Sequence, residues 1–207
     1  MRFEETDLPG VLVIRQRVHT DQRGDFHESF RADLVSEATR TPFTVAQINY
    51  STSRRNTIRG IHGVVSPPGQ AKYVSCANGA LLDVVVDLRT GSPTFGRHTV
   101  NVLEAAEGTA VFVPEGFGHG FRALTDDARI CYVLSSAHVP GTQFEIHPLD
   151  PELDLPWGHE SPPVLSGKDA GAQSLQEALR SGVLTPWSPS PTGETQSDAT
   201  AKTRGHR

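Results

Sequence analysis

Short apolar or alternating runs follow one another from residue 11 to residue 134, each closed by Gly, Pro, Asn, Asp or Ser, with no strong amphipathic helix among them. They occupy residues 11–18, 44–50, 57–62, 71–76, 81–88, 99–103, 109–113 and 128–134. Runs of this length and punctuation are strands. A chain dominated by them can bury its apolar faces only by closing into a sandwich or barrel. The expected fold is therefore all-β, a jelly-roll sandwich or barrel with short flanking helices. Helical spacing shows only at the margins, over 30–39 and over 169–180, where Leu175, Ala178 and Leu179 share a face before Gly182.

The 207 residues suit about one domain, expected over residues 1–187. Residues 188–207 offer a core no large apolar side chain and are expected to form a disordered tail. No apolar run approaches the roughly 18 residues of a membrane span. The start, Met1 to Asp7, is acidic where a signal peptide would be basic, so a cytoplasmic location is expected. A formal charge of -5 argues against a nucleic-acid partner, which would need a basic stripe. Cys76 and Cys131 are too few for a disulfide framework and form no Cys-x-x-Cys pair, so they read as small buried apolar residues.

Chemistry enters through a few residues that break the apolar pattern. In 81–88, Leu82, Val84, Val86 and Leu88 share one face while Asp83, Val85 and Asp87 share the other. The acidic face is either a solvated exterior or the wall of a polar cavity. Arg59-Gly60-Ile61-His62 is followed by Lys72 on what reads as an adjacent antiparallel strand, joined by the turn Ser66-Pro67-Pro68-Gly69. A lysine inside an apolar strand must reach water or be kept for function. Arg59 and His62 are an odd number of positions apart, so both enter one site only with a bulge at Gly60 or a strand ending near His62.

Pro114-x-Gly116-x-x-His119 has the spacing of the second metal motif of cupin barrels. The first motif, His-x-His with a downstream Glu, is missing around His62. The remaining donors fall below the three protein ligands usual for a catalytic metal, so a metal-free site is expected. Tyr132, with Ile130 and Leu134 on its face, reads as a core tyrosine or as an acid. An imidazole, an ammonium and a phenol together supply the three needs of epimerisation next to a ketone. These are a base, a stabiliser of the enolate oxygen and a proton donor on the opposite side.

These segments stand beside others: Asp21-Gln22-Arg23-Gly24-Asp25-Phe26-His27-Glu28, Gln47-Ile48-Asn49-Tyr50-Ser51, Pro68-Gly69-Gln70-Ala71-Lys72-Tyr73, Gly91-Ser92-Pro93-Thr94-Phe95-Gly96 and Leu165-Ser166-Gly167-Lys168-Asp169. In this order, over about residues 8–185, the chain closely resembles the dTDP-4-dehydrorhamnose 3,5-epimerase family. The resemblance implies a cupin-type jelly roll, a homodimer that exchanges N-terminal strand contacts, and neither metal nor cofactor. It implies dTDP-4-dehydro-6-deoxy-D-glucose as substrate, inverted at C3 and C5. By the same resemblance His62 is the base with Asp169 behind it, Lys72 the enolate stabiliser and Tyr132 the acid. Arg23, Phe26, Glu28, Gln47, Ile48, Asn49, Arg59, His119 and Lys168 match positions that hold nucleotide and sugar. His138 and Gln143 stand at two more such positions, where the family commonly has tyrosine and glutamate. Gly63 replaces a usual aromatic residue and is expected to open space beside the base. The alternatives are a mono-epimerase of C3 or C5, a sugar-nucleotide-binding cupin without turnover, and a metal-dependent cupin oxygenase.

Overall fold

Two antiparallel sheets face each other in the computed structural model, which describes residues 1–158 and 161–188. The strands are β1 (Arg2–Glu5), β2 (Leu12–Arg15), β3 (His19–Asp21), β4 (Gly24–Phe26), β5 (Gln47–Ser53), β6 (Ile58–Val64) and β7 (Lys72–Asn78). They continue with β8 (Ala80–Asp87), β9 (His98–Glu104), β10 (Thr109–Val113), β11 (Phe117–Ala123), β12 (Ala128–Leu134) and β13 (Gln143–Glu145). The helices are α1 (Ala32–Thr39), α2 (Gly167–Ala170) and α3 (Leu175–Ser181). One sheet runs β1-β2-β10-β7-β12-β5 and the other β13-β6-β11-β8-β9, while β3 and β4 form a separate hairpin. This is the expected jelly roll. The expectation for 188–207 falls, Ser188 apart, outside the described residues.

Apolar residues sort into three layers because strand side chains alternate. Val74, Val111 and Ile130 from one sheet meet Val85, Phe117 and Phe121 from the other in the inter-sheet core. The outer face of the six-stranded sheet, with Ile14, Tyr73 and Phe112, is covered by Val35 of α1 and by Phe43. The outer face of the five-stranded sheet, with Ile58, Val84 and Val86, is covered by the C-terminal segment through Leu153, Trp157, Leu175 and Ala178. Both faces of β8 are thereby buried. Asp83 and Asp87 point inward with Val85 and have no exposed surface, so the acidic face is interior.

Two expectations are corrected here. His62 and Lys72 do not lie on adjacent strands: β6 and β7 belong to different sheets, and the Ser66–Gly69 turn carries the chain across the sandwich. The helix expected over 169–180 is two pieces, α2 and α3, separated around Gly171, with α3 starting afresh from a Ser174–Glu177 capping box.

Candidate active site

The inter-sheet core is apolar at one end and opens at the other into a polar cavity of about 590 Å³, a size suited to a small-molecule ligand. Strand alternation brings its residues together. Lys72 shares the inward face of β7 with Val74, Tyr132 that of β12 with Ile130, and His119 that of β11 with Phe117 and Phe121. His62 reaches the same space through a break in the ladder. His119 pairs with His62 but Phe121 pairs with Arg59, so three steps on β6 match two on β11. That is the bulge the odd spacing required, and it lets both Arg59 and His62 line the cavity. Gly60 makes the bulge, with φ of 129° and a position where a Cβ would stand 2.5 Å from the Gly120 Cα.

The charged groups are held by short bonds. His62 Nε2 lies 2.7 Å from Asp169 Oδ1. Ser166 caps α2 by accepting from the Asp169 backbone N–H at 3.0 Å and donates its hydroxyl to Asp169 Oδ2 at 2.8 Å. Burial pushes the Asp169 carboxyl up, but the bonds from His62 and Ser166 outweigh it and hold the group below the ordinary range. Asp169 is thus an anion that can only accept, so the shared proton sits on His62 Nε2, and in the neutral imidazole Nδ1 is the nitrogen with a lone pair.

Lys72 is buried, and its Nζ donates to the His62 carbonyl across the sandwich at 3.3 Å. Burial lowers its ammonium to about 8, and the attraction of Asp83 limits the fall. Asp83 Oδ2 bonds His119 Nε2 at 2.6 Å, while its Oδ1 has no partner among the described residues. Tyr132 packs edge-on against His119 with ring centroids 5.9 Å apart. Burial, and then the Asp83 charge, raise its phenol well above the usual value, so it stays protonated. The cavity therefore presents an imidazole with an open nitrogen, a fixed cation and a neutral phenol.

Of the other residues picked out in the sequence, Ile48, Asn49, Arg59, His119, Gln143 and Lys168 line this cavity. Arg59 is anchored at the rim by donating from Nε to Ser53 Oγ at 3.0 Å. Gln47 and His138 lie outside the lining and bond each other, the His138 N–H to Gln47 Oε1 at 2.9 Å. Arg23, Phe26 and Glu28 are also outside it, on or just after the β3–β4 hairpin, whose residues are all exposed. Gly63 does not open space: a Cβ there would sit 2.2 Å from the Phe144 ring, which already fills the position.

Sequence reading missed Ser166, Gln70 and Glu145, all of which line the cavity. The Ser-x-x-Asp spacing of a helix start could have revealed Ser166. Glu145 gave no signal because β13 has only three residues. Among the described residues, no group of three or more His, Cys, Asp or Glu is arranged to hold a metal ion.

Residues 5–177 match the family described as dTDP-4-dehydrorhamnose 3,5-epimerase. A dTDP-4-dehydrorhamnose 3-epimerase of Streptomyces niveus is 45% identical over 184 residues, 89% of this chain and 88% of that protein. A dTDP-4-dehydro-6-deoxyglucose 3-epimerase of Streptomyces bikiniensis is 46% identical over 167 residues, 81% of this chain and 85% of that one. The crystal structure of NovW, a 4-keto-6-deoxy sugar epimerase from the novobiocin cluster of Streptomyces spheroides, superposes with a TM-score of 0.87. It is 44% identical and covers 90% of this chain and 94% of its own.

Proposed function

The chain belongs to the dTDP-4-dehydrorhamnose 3,5-epimerase family, and on that premise we propose that it epimerises dTDP-4-dehydro-6-deoxy-D-glucose at C3 and C5. The observation that carries the proposal is the convergence of His62, Lys72 and Tyr132, from three strands in two sheets, on one cavity.

Each inversion is a proton taken and a proton returned. His62 Nδ1 removes the hydrogen on the carbon next to the C4 ketone, the electron pair of that C–H bond forms the C=C bond of the enolate, and the carbonyl π pair moves onto the oxygen. Asp169 holds the imidazole in the reactive tautomer and balances the charge it gains. The Lys72 ammonium donates to the enolate oxygen as charge develops, a contribution of about 10²–10³ in rate for one fixed donor. Tyr132 then protonates the carbon from the other side and recovers its proton from solvent, while His62 releases the one it took. No atom is gained or lost, so the product is an isomer. Arg59 at the rim has the fork geometry for a diphosphate, with Asn49 and Gln143 available for nucleoside and sugar hydroxyls.

The functional unit in this reading is a homodimer. The β3–β4 hairpin buries none of its residues against its own chain, and Phe26 keeps 69% of its surface exposed. Edge strand β5 also displays Ile48 and Tyr50 beside the cavity mouth. A hairpin reaching into the partner's cavity would cover this apolar surface and bring Arg23, Phe26 and Glu28 to the substrate.

A second reading, inversion of C3 alone, is favoured by the names of the Streptomyces niveus and Streptomyces bikiniensis relatives, both 3-epimerases. Incubation with dTDP-4-dehydro-6-deoxyglucose in heavy water separates the two. Deuterium at C3 and C5 supports the main reading, deuterium at C3 alone the second, and no isotope uptake contradicts both.

A further inference from the structure

Strand β13 turns two side chains toward the cavity, Gln143 and Glu145, which share a face because they are two positions apart. Glu145 stands opposite His62 in the β13–β6 ladder. Its carboxylate is ion-paired with the ammonium of Lys168, the residue before Asp169 in α2. The Glu145 side chain is 18% exposed and that of Lys168 62%, so the carboxylate is the fixed end of the pair.

α2 needs such a tie. A single helical turn of four residues has little stability of its own. Backbone bridges at Val164 and Gln173 hold the segment beyond both ends of the turn. The Ser166 cap lies in the same turn and cannot fasten it to the sheet. Side chains do that from two strands: His62 of β6 through Asp169, and Glu145 of β13 through Lys168.

We propose that Glu145 is a positioning residue for the base, holding Lys168 and with it the α2 turn so that the Asp169 carboxylate stays seated on His62 Nε2. The inference rests on the assignment of His62 and Asp169 under Proposed function. If the turn slackens, the 2.7 Å bond lengthens and the imidazole is free to carry its proton on Nδ1, where it cannot act as a base.

The test is Glu145→Gln, which keeps the shape and removes the charge. The far-downfield proton resonance of the His62 Nε2–H is expected to broaden or vanish, kcat to fall about tenfold and KM to stay within about twofold. In an Asp169→Asn background the same substitution should leave kcat unchanged, because no carboxylate remains to be positioned. Lys168→Met, at the exposed end of the pair, should disturb the resonance in the same way and serves if Glu145→Gln does not fold. An undisturbed resonance in both variants overturns the proposal, as does a raised KM with unchanged kcat or an additive loss in the Asp169→Asn background. The resonance is read without turnover, so it decides the inference even if the wild-type protein fails to epimerise the sugar, a result that would count against the reading above instead.

Discussion

Lys72 holds a charge where water cannot solvate it, and its chemistry is tuned by that contest. Burial alone favours the neutral amine, and the Asp83 carboxylate pulls the other way, leaving the ammonium at about 8. In the proposed mechanism the enolate needs the cation, so kcat/KM is expected to fall as pH rises through about 8, which a pH–rate profile of the free enzyme checks. Stability should move oppositely. The unfolded chain keeps this proton up to about 10.4, so from about 8 to that value it binds more protons than the native state and the unfolding free energy rises with pH. An activity profile flat through pH 9 would contradict Lys72 as the stabiliser. This residue was legible in the sequence because an ammonium in an apolar strand has few explanations. Glu145 was not, because a glutamate between two apolar residues, Phe144 and Ile146, is ordinary on the outer face of a strand until a neighbouring element gives it a partner.

Strands of seven or eight residues with both faces largely buried, such as β8 and β12, could be read directly because they are long apolar runs broken by few polar residues. β11 could not. Its Phe-Gly-His-Gly-Phe core has glycines where the outward face would carry apolar residues, because side chains of β6 and of Leu88 already fill that space. A Cβ at Gly118 would stand 2.4 Å from Ile61, and one at Gly120 2.8 Å from the same side chain. The β3–β4 hairpin was silent for a different reason: it buries nothing within its own chain, so no apolar periodicity marks it. The same packing logic governs Gly63 and Phe144 across β6 and β13. Gly63→Ala drives a methyl into the ring, and chemical denaturation should show a loss of about 1–3 kcal/mol. A variant as stable as wild type would mean that Phe144 can move aside at no cost.

Across the whole molecule, the sandwich acts as a frame that points side chains from both sheets into one end of the core. In the proposed mechanism the cavity contributes the groups that move protons, and the exposed hairpin holds Arg23 and Phe26 outside its lining. A subunit carrying His62→Asn and a subunit carrying Arg23→Ala with Phe26→Ala should each be nearly inactive alone. If sites are shared, random pairing of equal amounts restores about a quarter of wild-type activity, since half the dimers then hold one intact site. Mixing without recovery would remove the hairpin from the partner's cavity.

In the proposed mechanism His62 and Tyr132 act in sequence on one ketosugar, the first taking a proton and the second returning one from the other side. Parallel measurement of solvent deuterium uptake and of epimer formation from dTDP-4-dehydro-6-deoxyglucose, in wild type, His62→Asn and Tyr132→Phe, tests it most directly. The expected result is loss of both uptake and inversion in His62→Asn, and uptake that persists without inversion in Tyr132→Phe. Wild-type uptake in His62→Asn, or full inversion in Tyr132→Phe, would rule out this division of labour between the two residues.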